Sequence, residues 1–248
     1  MRSESIDCLI FDIGGTINGP SFDGVDFLSY FLKEADLANA SRLPSDRLGE
    51  AQEKASSWLD DYMIENNVPP KWEMTFSEQI RYSSMILESL GVDEPAERLA
   101  TAYDKKLEFA VEELGAVMAE DCRGVLENLS TRGYHLGIAS NRFGNPSGYF
   151  RRHNIDQFFE AVEYSLVPGY RKPSPFMLLE VAGTLSINPL KCAYIGDSIK
   201  YDIRAAKRAG MLPILTTEFR QPSDAMHSDE WLTISKLSDL LGIFTSAK

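Results

Sequence analysis

A chain of 248 residues, 44% of them hydrophobic, is long enough for a well-filled core and allows one domain or two. A net charge of −12 sets its global field against nucleic acid and anionic membrane surfaces, so a phosphate-bearing ligand would need local cations or a metal. Three cysteines at no metal-ligand spacing, no apolar run long enough for a bilayer and no apolar leader after Met1 to Asp7 set the expectation of a cytoplasmic protein.

The first element is an apolar run from Cys8 to Phe11, with the unbroken hydrophobicity of a strand buried on both faces of a parallel sheet. It ends in a lone carboxylate, Asp12, and breaks at Gly14-Gly15 before Thr16. That order places Asp12 at the carboxyl end of a central strand, where open α/β sheets put their ligands. From residue 18 to about 117 the pattern is almost entirely helical. Phe27, Tyr30 and Phe31 share one spacing, Ala51, Ala55, Trp58, Leu59 and Tyr62 another, and Leu99, Tyr103 and Leu107 a third. Residues 18–117 are therefore expected to be an inserted all-helical domain, and 1–17 with 118–248 an α/β core.

After Glu120 helix and strand alternate. A helix through Val125, Leu126 and Leu129 precedes the strand Tyr134 to Ala139, which ends at Ser140-Asn141. A helix near Tyr149 to Arg152 and a short strand near Ala161 to Tyr164 lead to Lys172-Pro173 and a helix over Ser174 to Leu185. The strand Lys191 to Ile195 ends at Gly196-Asp197-Ser198, with Asp202 near the start of the following helix. Strands at Leu212 to Thr216 and Trp231 to Ile234 precede a terminal helix. The fold class expected is a doubly wound parallel sheet of Rossmann-like type. His135 is read as a packed strand residue, His153 as a helix-end residue and His227 as a loop residue, none of them catalytic. Trp58, Tyr62 and Trp72, at helical spacing, are read as core.

Three strands thus end in charge-handling residues, and in a parallel sheet those ends share one edge. Two or three carboxylates there would be costly without a cation, and hard oxygen ligands suit Mg²⁺. Lys172 could supply a fixed positive charge. Ser140 can donate its hydroxyl, and Asn141 its backbone or amide N–H, to a phosphate oxygen. A carboxylate nucleophile beside a metal, a lysine and hydroxyl donors suits phosphoryl transfer through an aspartyl-phosphate.

The ordered set Asp12-Ile-Gly-Gly-Thr16, Ser140-Asn141, Lys172-Pro173 and Gly196-Asp197-Ser198-x-x-x-Asp202 resembles the four motifs of the haloacid dehalogenase-like superfamily, chiefly its phosphatase branch. The resemblance implies that Asp12 is nucleophile and metal ligand, that the carbonyl of Gly14 is a further ligand, and that Asp197 and Asp202 complete or support a magnesium site. It implies that Thr16, Ser140 and Lys172 hold the phosphoryl group and that the helical insert is a cap selecting a small phosphorylated metabolite. A monomer or a homodimer fits this reading. One position departs: the family's phosphatases carry a second Asp two residues after the nucleophile, as proton donor and later base, and here it is Gly14. Asp23, Asp26, a metal-organised water or a leaving group needing no proton would have to compensate.

That departure keeps other readings in view. A phospholigand-binding relative without turnover would explain Gly14. The dehalogenase branch shares Ser-Asn and lacks the second Asp, but works without metal. Phosphonate-cleaving relatives carry a small residue at this position and use a cap lysine, for which Lys33, Lys54, Lys71, Lys105 and Lys106 are available. The Asp-Ile-Gly-Gly-Thr run also resembles the phosphate loop of actin-like sugar kinases, although the helical pattern after Pro20 does not continue their hairpin.

Overall fold

The computed structural model describes residues 5–219 and 228–246, so His227 lies outside the described residues. The chain opens with strand β1 (Cys8–Phe11), then a tight loop and the two-residue strand β2 (Asn18–Gly19). Six helices follow: α1 (Gly24–Glu34), α2 (Ala38–Ser41), α3 (Ser45–Glu65), α4 (Phe76–Leu90), α5 (Ala96–Lys106) and α6 (Ala110–Glu113). Strand β3 (Val117–Met118) pairs antiparallel with β2. Beyond it come α7 (Cys122–Thr131), β4 (His135–Ser140), α8 (Ser147–Arg152), β5 (Ala161–Tyr164), α9 (Phe176–Thr184), β6 (Cys192–Gly196), α10 (Arg204–Ala209), β7 (Leu212–Thr216), β8 (Leu232–Ile234) and α11 (Leu240–Ile243).

Six strands form one all-parallel sheet in the order β5-β4-β1-β6-β7-β8. This is the doubly wound Rossmann-like arrangement, with β1 central and the order reversing around it. Alternation along β1 sends Leu9 and Phe11 to one face and Cys8 and Ile10 to the other. The first face packs on Val125, Leu126 and Leu129 of α7 and on Leu237 and Leu240 near the carboxyl end. The second packs on Met177, Leu178 and Val181 of α9 and on the alanines of α10. Gly137 allows α9 to lie close, since a Cβ there would overlap the Val181 side chain. Cys8, Cys122 and Cys192 are buried free thiols. His135 differs from expectation: as the first residue of β4 its side chain projects to solvent and pairs with Glu160 at 2.9 Å. His153 ends α8, its ring 4.4 Å from that of Tyr149.

The chain divides into two compact units, Met1–Ser21 with Val117–Lys248, and Phe22–Ala116. The division falls a few residues from the 17/18 and 117/118 boundaries read from periodicity. The β2–β3 ribbon explains the offset, because its two paired residues per strand are too short to leave a periodic signal. Within the helical unit, α1 is closed at its start by a reciprocal cap: Asp23 accepts from the Val25 and Asp26 amides, and Asp26 accepts from the Asp23 amide. Gly91 ends α4 in the left-handed conformation at φ 71°. Phe31 stacks at 4.0 Å on Tyr103, and Trp58, Tyr62 and Trp72 form a second, half-buried aromatic row.

The ribbon holds the two chain ends of the helical unit side by side. Replacing residues 22–116 with a short Gly-Ser linker should therefore leave a folded α/β core, checked by cooperative thermal melting and a retained mixed α/β circular dichroism spectrum. A non-cooperative product would show that the sheet needs the insert.

Candidate active site

Strands β1, β4 and β6 lie side by side and run the same way, so Asp12, Ser140 and Asp197 emerge at one edge. The Asp12 amide still donates to the Ile195 carbonyl at 2.9 Å, carrying the ladder one residue past β1. The chain then turns sharply. The amides of Thr16, Ile17 and Asn18 all donate to the Ile13 carbonyl, and Gly15 takes φ 75°. Gly15 is required twice over: its φ favours glycine, and a Cβ would overlap the Asp197 carboxylate and Ser21 Oγ. Gly14 is different. It is exposed, and a Cβ there would meet nothing within 4 Å.

Asp202 arrives by an unexpected route. In place of the α-helical start read from sequence, Ile199–Ile203 forms a π-helical turn in which the Ile203 amide reaches back to the Ser198 carbonyl at 3.1 Å. The wider turn swings Asp202 under the strand ends, where its Oδ2 accepts from the Ser198 amide at 2.8 Å. It packs against Gly196, where a Cβ would overlap the Asp202 side chain.

Lys172 stands at the centre, 1% exposed. Its Nζ lies 2.9 Å from Asp12 Oδ1 and 2.7 Å from Asp202 Oδ1, and donates to the Tyr194 hydroxyl at 2.7 Å. Burial disfavours the ammonium, but Asp12 and Asp202 outweigh it and hold its pKa above the ordinary value. Burial raises the Asp202 carboxyl to about 6; Lys172 opposes the rise, and Asp12 and Asp197 add to it. Asp12, Asp197 and Asp202 each offer an oxygen within 4.8 Å of the others. Lys172 pairs with two of these acids, Asp12 and Asp202, so the cluster gathers three carboxyl groups at one point with a single ammonium among them. Asp12 Oδ1 also lacks an aligned hydrogen-bond donor, its contact with Lys172 being an ion pair only. A set of carboxylate oxygens this close together fits a hard divalent ion.

The other residues read from sequence divide in the structure. Thr16 is fully buried with its Oγ1 unpartnered, so a hydroxyl is available in the Asp12 loop. Ser140 ends β4 and is 5% exposed. The Asn141 amide is already engaged: Oδ1 accepts from the Lys172 amide at 2.8 Å and Nδ2 donates to the Lys172 carbonyl at 2.9 Å. This side chain grips the Lys172 backbone. Two residues escaped the sequence reading. Tyr194, in the apolar run of β6, passes the Lys172 contact on by donating to the Ala139 carbonyl at 2.7 Å; a buried tyrosine two residues before Gly196-Asp197 was its only signal. Ser21 Oγ donates to Asp197 Oδ2 at 3.3 Å. Asp23 and Asp26 are committed to capping α1.

Two outcomes follow from this network. Tyr194→Phe leaves a Lys172 proton and the Ala139 carbonyl unpaired in the core, and should cost ~1–3 kcal/mol in denaturant unfolding. The second concerns pH. Because the folded Asp202 pKa, about 6, lies above its ordinary 3.8, the metal-free site favours the neutral acid and this group's contribution to stability falls as pH rises across that interval. A bound cation needs the carboxylate, so stabilisation by magnesium should be full well above pH 6 and fade below it. Melting temperature with and without magnesium at about pH 7.5 and about pH 5 checks the sign.

Comparison with known proteins agrees with this geometry. A family model described as haloacid dehalogenase-like hydrolase matches residues 6–210. A glyceraldehyde 3-phosphate phosphatase of Methanopyrus kandleri is 29% identical over 143 residues, covering 56% of this chain and 59% of that protein. The chain thus spans less than two thirds of the length of that curated relative. Among solved structures, a 2-haloacid dehalogenase of Pseudomonas syringae pv. Tomato superposes with a TM-score of 0.66 at 20% identity, covering 96% of this chain and 97% of that one. The HAD-hydrolase YfnB of Bacillus subtilis, solved bound to magnesium, gives 0.62 at 20% identity over 97% and 99%. At such identity these structures speak for the fold, while the family model covers most of the sequence and all four motifs: the chain belongs to the haloacid dehalogenase-like hydrolases.

Proposed function

We propose that this protein is a magnesium-dependent phosphatase that hydrolyses a small phosphorylated metabolite through Asp12. The observation that carries the reading is the cluster of three carboxyl groups at one sheet edge, two of them paired with Lys172, with a Thr16 hydroxyl in the Asp12 loop that has no hydrogen-bond partner among the described residues. A dehalogenase working without metal has no use for three gathered carboxyl groups. In the first step an Asp12 carboxylate oxygen bonds to phosphorus as the P–O bond to the leaving group breaks, and the leaving oxygen gains a proton. In the second, water bonds to phosphorus, the Asp12–phosphorus link breaks, and inorganic phosphate departs with restoration of the carboxylate. Lys172, Thr16 and Ser140 orient the phosphoryl oxygens. A divalent cation held by Asp12, Asp197, Asp202 and the Gly14 carbonyl would neutralise charge on those oxygens.

Gly14 removes the usual proton donor, and the two nearby acids that sequence offered are tied into a helix cap. The reading therefore favours leaving groups that need little protonation, or water as the proton source. The lysine-dependent phosphonate route finds no support: Lys106 is paired with Glu34 and Glu113, which raises its pKa, the wrong direction for a Schiff-base amine. Lys33, Lys54, Lys71 and Lys105 are exposed. The relatives named glyceraldehyde 3-phosphate phosphatases make a triose phosphate the first natural substrate class to try.

The test is phosphate release from p-nitrophenyl phosphate, acetyl phosphate and glyceraldehyde 3-phosphate, each with magnesium or EDTA. Asp12→Asn should abolish turnover. Gly14→Asp, for which the loop has room, should speed the triose phosphate at least tenfold, given that general acid–base help is worth about 10²–10⁴. Magnesium-dependent binding of these ligands without any phosphate release would replace the enzyme with a phospholigand-binding protein.

A further inference from the structure

Arg142 follows Ser140-Asn141 in the loop leaving β4, and the reaction just described makes no use of it. Its Nε donates to two backbone carbonyls, Gly144 at 3.1 Å and Phe143 at 3.4 Å, with Gly144 at φ 76° in the turn that curls back onto the guanidinium. Neither terminal nitrogen has a protein partner among the described residues. Enclosure lowers the guanidinium pKa, and the Asp12 charge is the first influence opposing that loss. Arg142 lies two residues past Ser140, whose strand end shares the sheet edge with Asp12, yet no ion pair joins Arg142 to Asp12 among the described residues. A half-buried, permanently charged fork with its Nε edge anchored and its terminal nitrogens open is placed to take a bidentate anion.

We propose that Arg142 is a specificity-determining residue that binds a second oxyanion of the substrate, remote from the transferring phosphorus. The proposal rests on the phosphatase reading of the Asp12 crevice. The substrate class it points to is a phosphate monoester that also carries a carboxylate or a second phosphate. Two features favour the remote group over the transferring one. The phosphoryl oxygens are already served by Lys172, Thr16 and Ser140, all nine-tenths or more buried around Asp12. Arg142, by contrast, is half-buried on the loop beyond Ser140, and its two terminal nitrogens lie in one plane, matching the paired oxygens of a carboxylate. Anchoring of Nε to the Phe143 and Gly144 carbonyls fixes the fork before substrate arrives, which lowers the ordering cost of binding.

The experiment compares two substrates with the same three-carbon skeleton, 3-phosphoglycerate and glycerol 3-phosphate, which differ in the carboxylate. The kcat/KM ratio of the first to the second is measured with magnesium for wild type, Arg142→Met and Arg142→Lys. Loss of a charge-assisted bidentate contact should lower that ratio about ten- to a hundredfold in R142M, mainly through KM for 3-phosphoglycerate, with partial recovery in R142K. A general folding defect would depress both substrates and leave the ratio alone; equal melting temperatures confirm that the fold is intact. An unchanged ratio, whether both substrates weaken together or neither does, overturns the proposal, and equal weakening would reassign Arg142 to the transferring phosphoryl group. If wild type releases phosphate from neither compound but does so from p-nitrophenyl or acetyl phosphate, the phosphatase reading stands; if it releases phosphate from none of them, that reading has failed separately. Calorimetric affinities of the two ligands for wild type and R142M, with magnesium, then decide Arg142 by the same ratio.

Discussion

A lysine ammonium sealed from water between two carboxylates and a tyrosine hydroxyl is the contact on which the geometry of this site depends. An unpaired charge at that depth would be costly, so Lys172 holds Asp12 and Asp202 toward itself, and they in turn keep it charged. Its placement is determined from both ends. The Asn141 amide clasps its backbone on one side, and on the other the Tyr194 hydroxyl accepts from its Nζ and donates to the Ala139 carbonyl. Three residues distant in sequence are thereby locked into one rigid polar core before any ligand binds, which is the preorganisation that electrostatic catalysis requires.

The parallel sheet is what lets such a cluster exist. Its strands bury Leu9 and Phe11 on one face and Cys8 and Ile10 on the other, so only the strand ends are free to carry polar groups. Close approach at that edge is bought with glycine: Gly15 leaves room for Asp197, and Gly196 for Asp202. The π-helical turn after Ser198 adds the half-turn of freedom that brings Asp202 beneath the other two acids. Glycine at 14 has no comparable steric purpose, since the space beside it is open. Its presence therefore answers to no packing constraint in the loop.

Much of this was legible in the residues themselves. The unbroken apolar character of Cys8 to Phe11 is the signature of a strand with two buried faces, and the alternation after Glu120 dictates a parallel series. Because parallel strands end on one edge, Asp12, Ser140 and Asp197 could be assembled from order alone. The helical unit was equally plain, for its apolar residues recur at a single spacing. Boundaries were less so, because the β2–β3 ribbon is held by cross-strand pairing that leaves no local trace.

What sequence by itself determined is the inventory and the edge: which acids, which lysine, and the end of the sheet on which they gather. Tertiary structure alone decided how they divide the work. Asn141, read as a backbone or amide donor, spends its side-chain amide on the Lys172 backbone; Asp23 and Asp26 form a helix cap; Tyr194, hidden in a hydrophobic run, carries a polar contact. Arg142 is left, among the described residues, with its terminal nitrogens unpaired while its Nε is held by its own loop. The reason is physical: a motif specifies donors, acceptors and charges, but which of them remain available depends on partners that the fold brings from far along the chain.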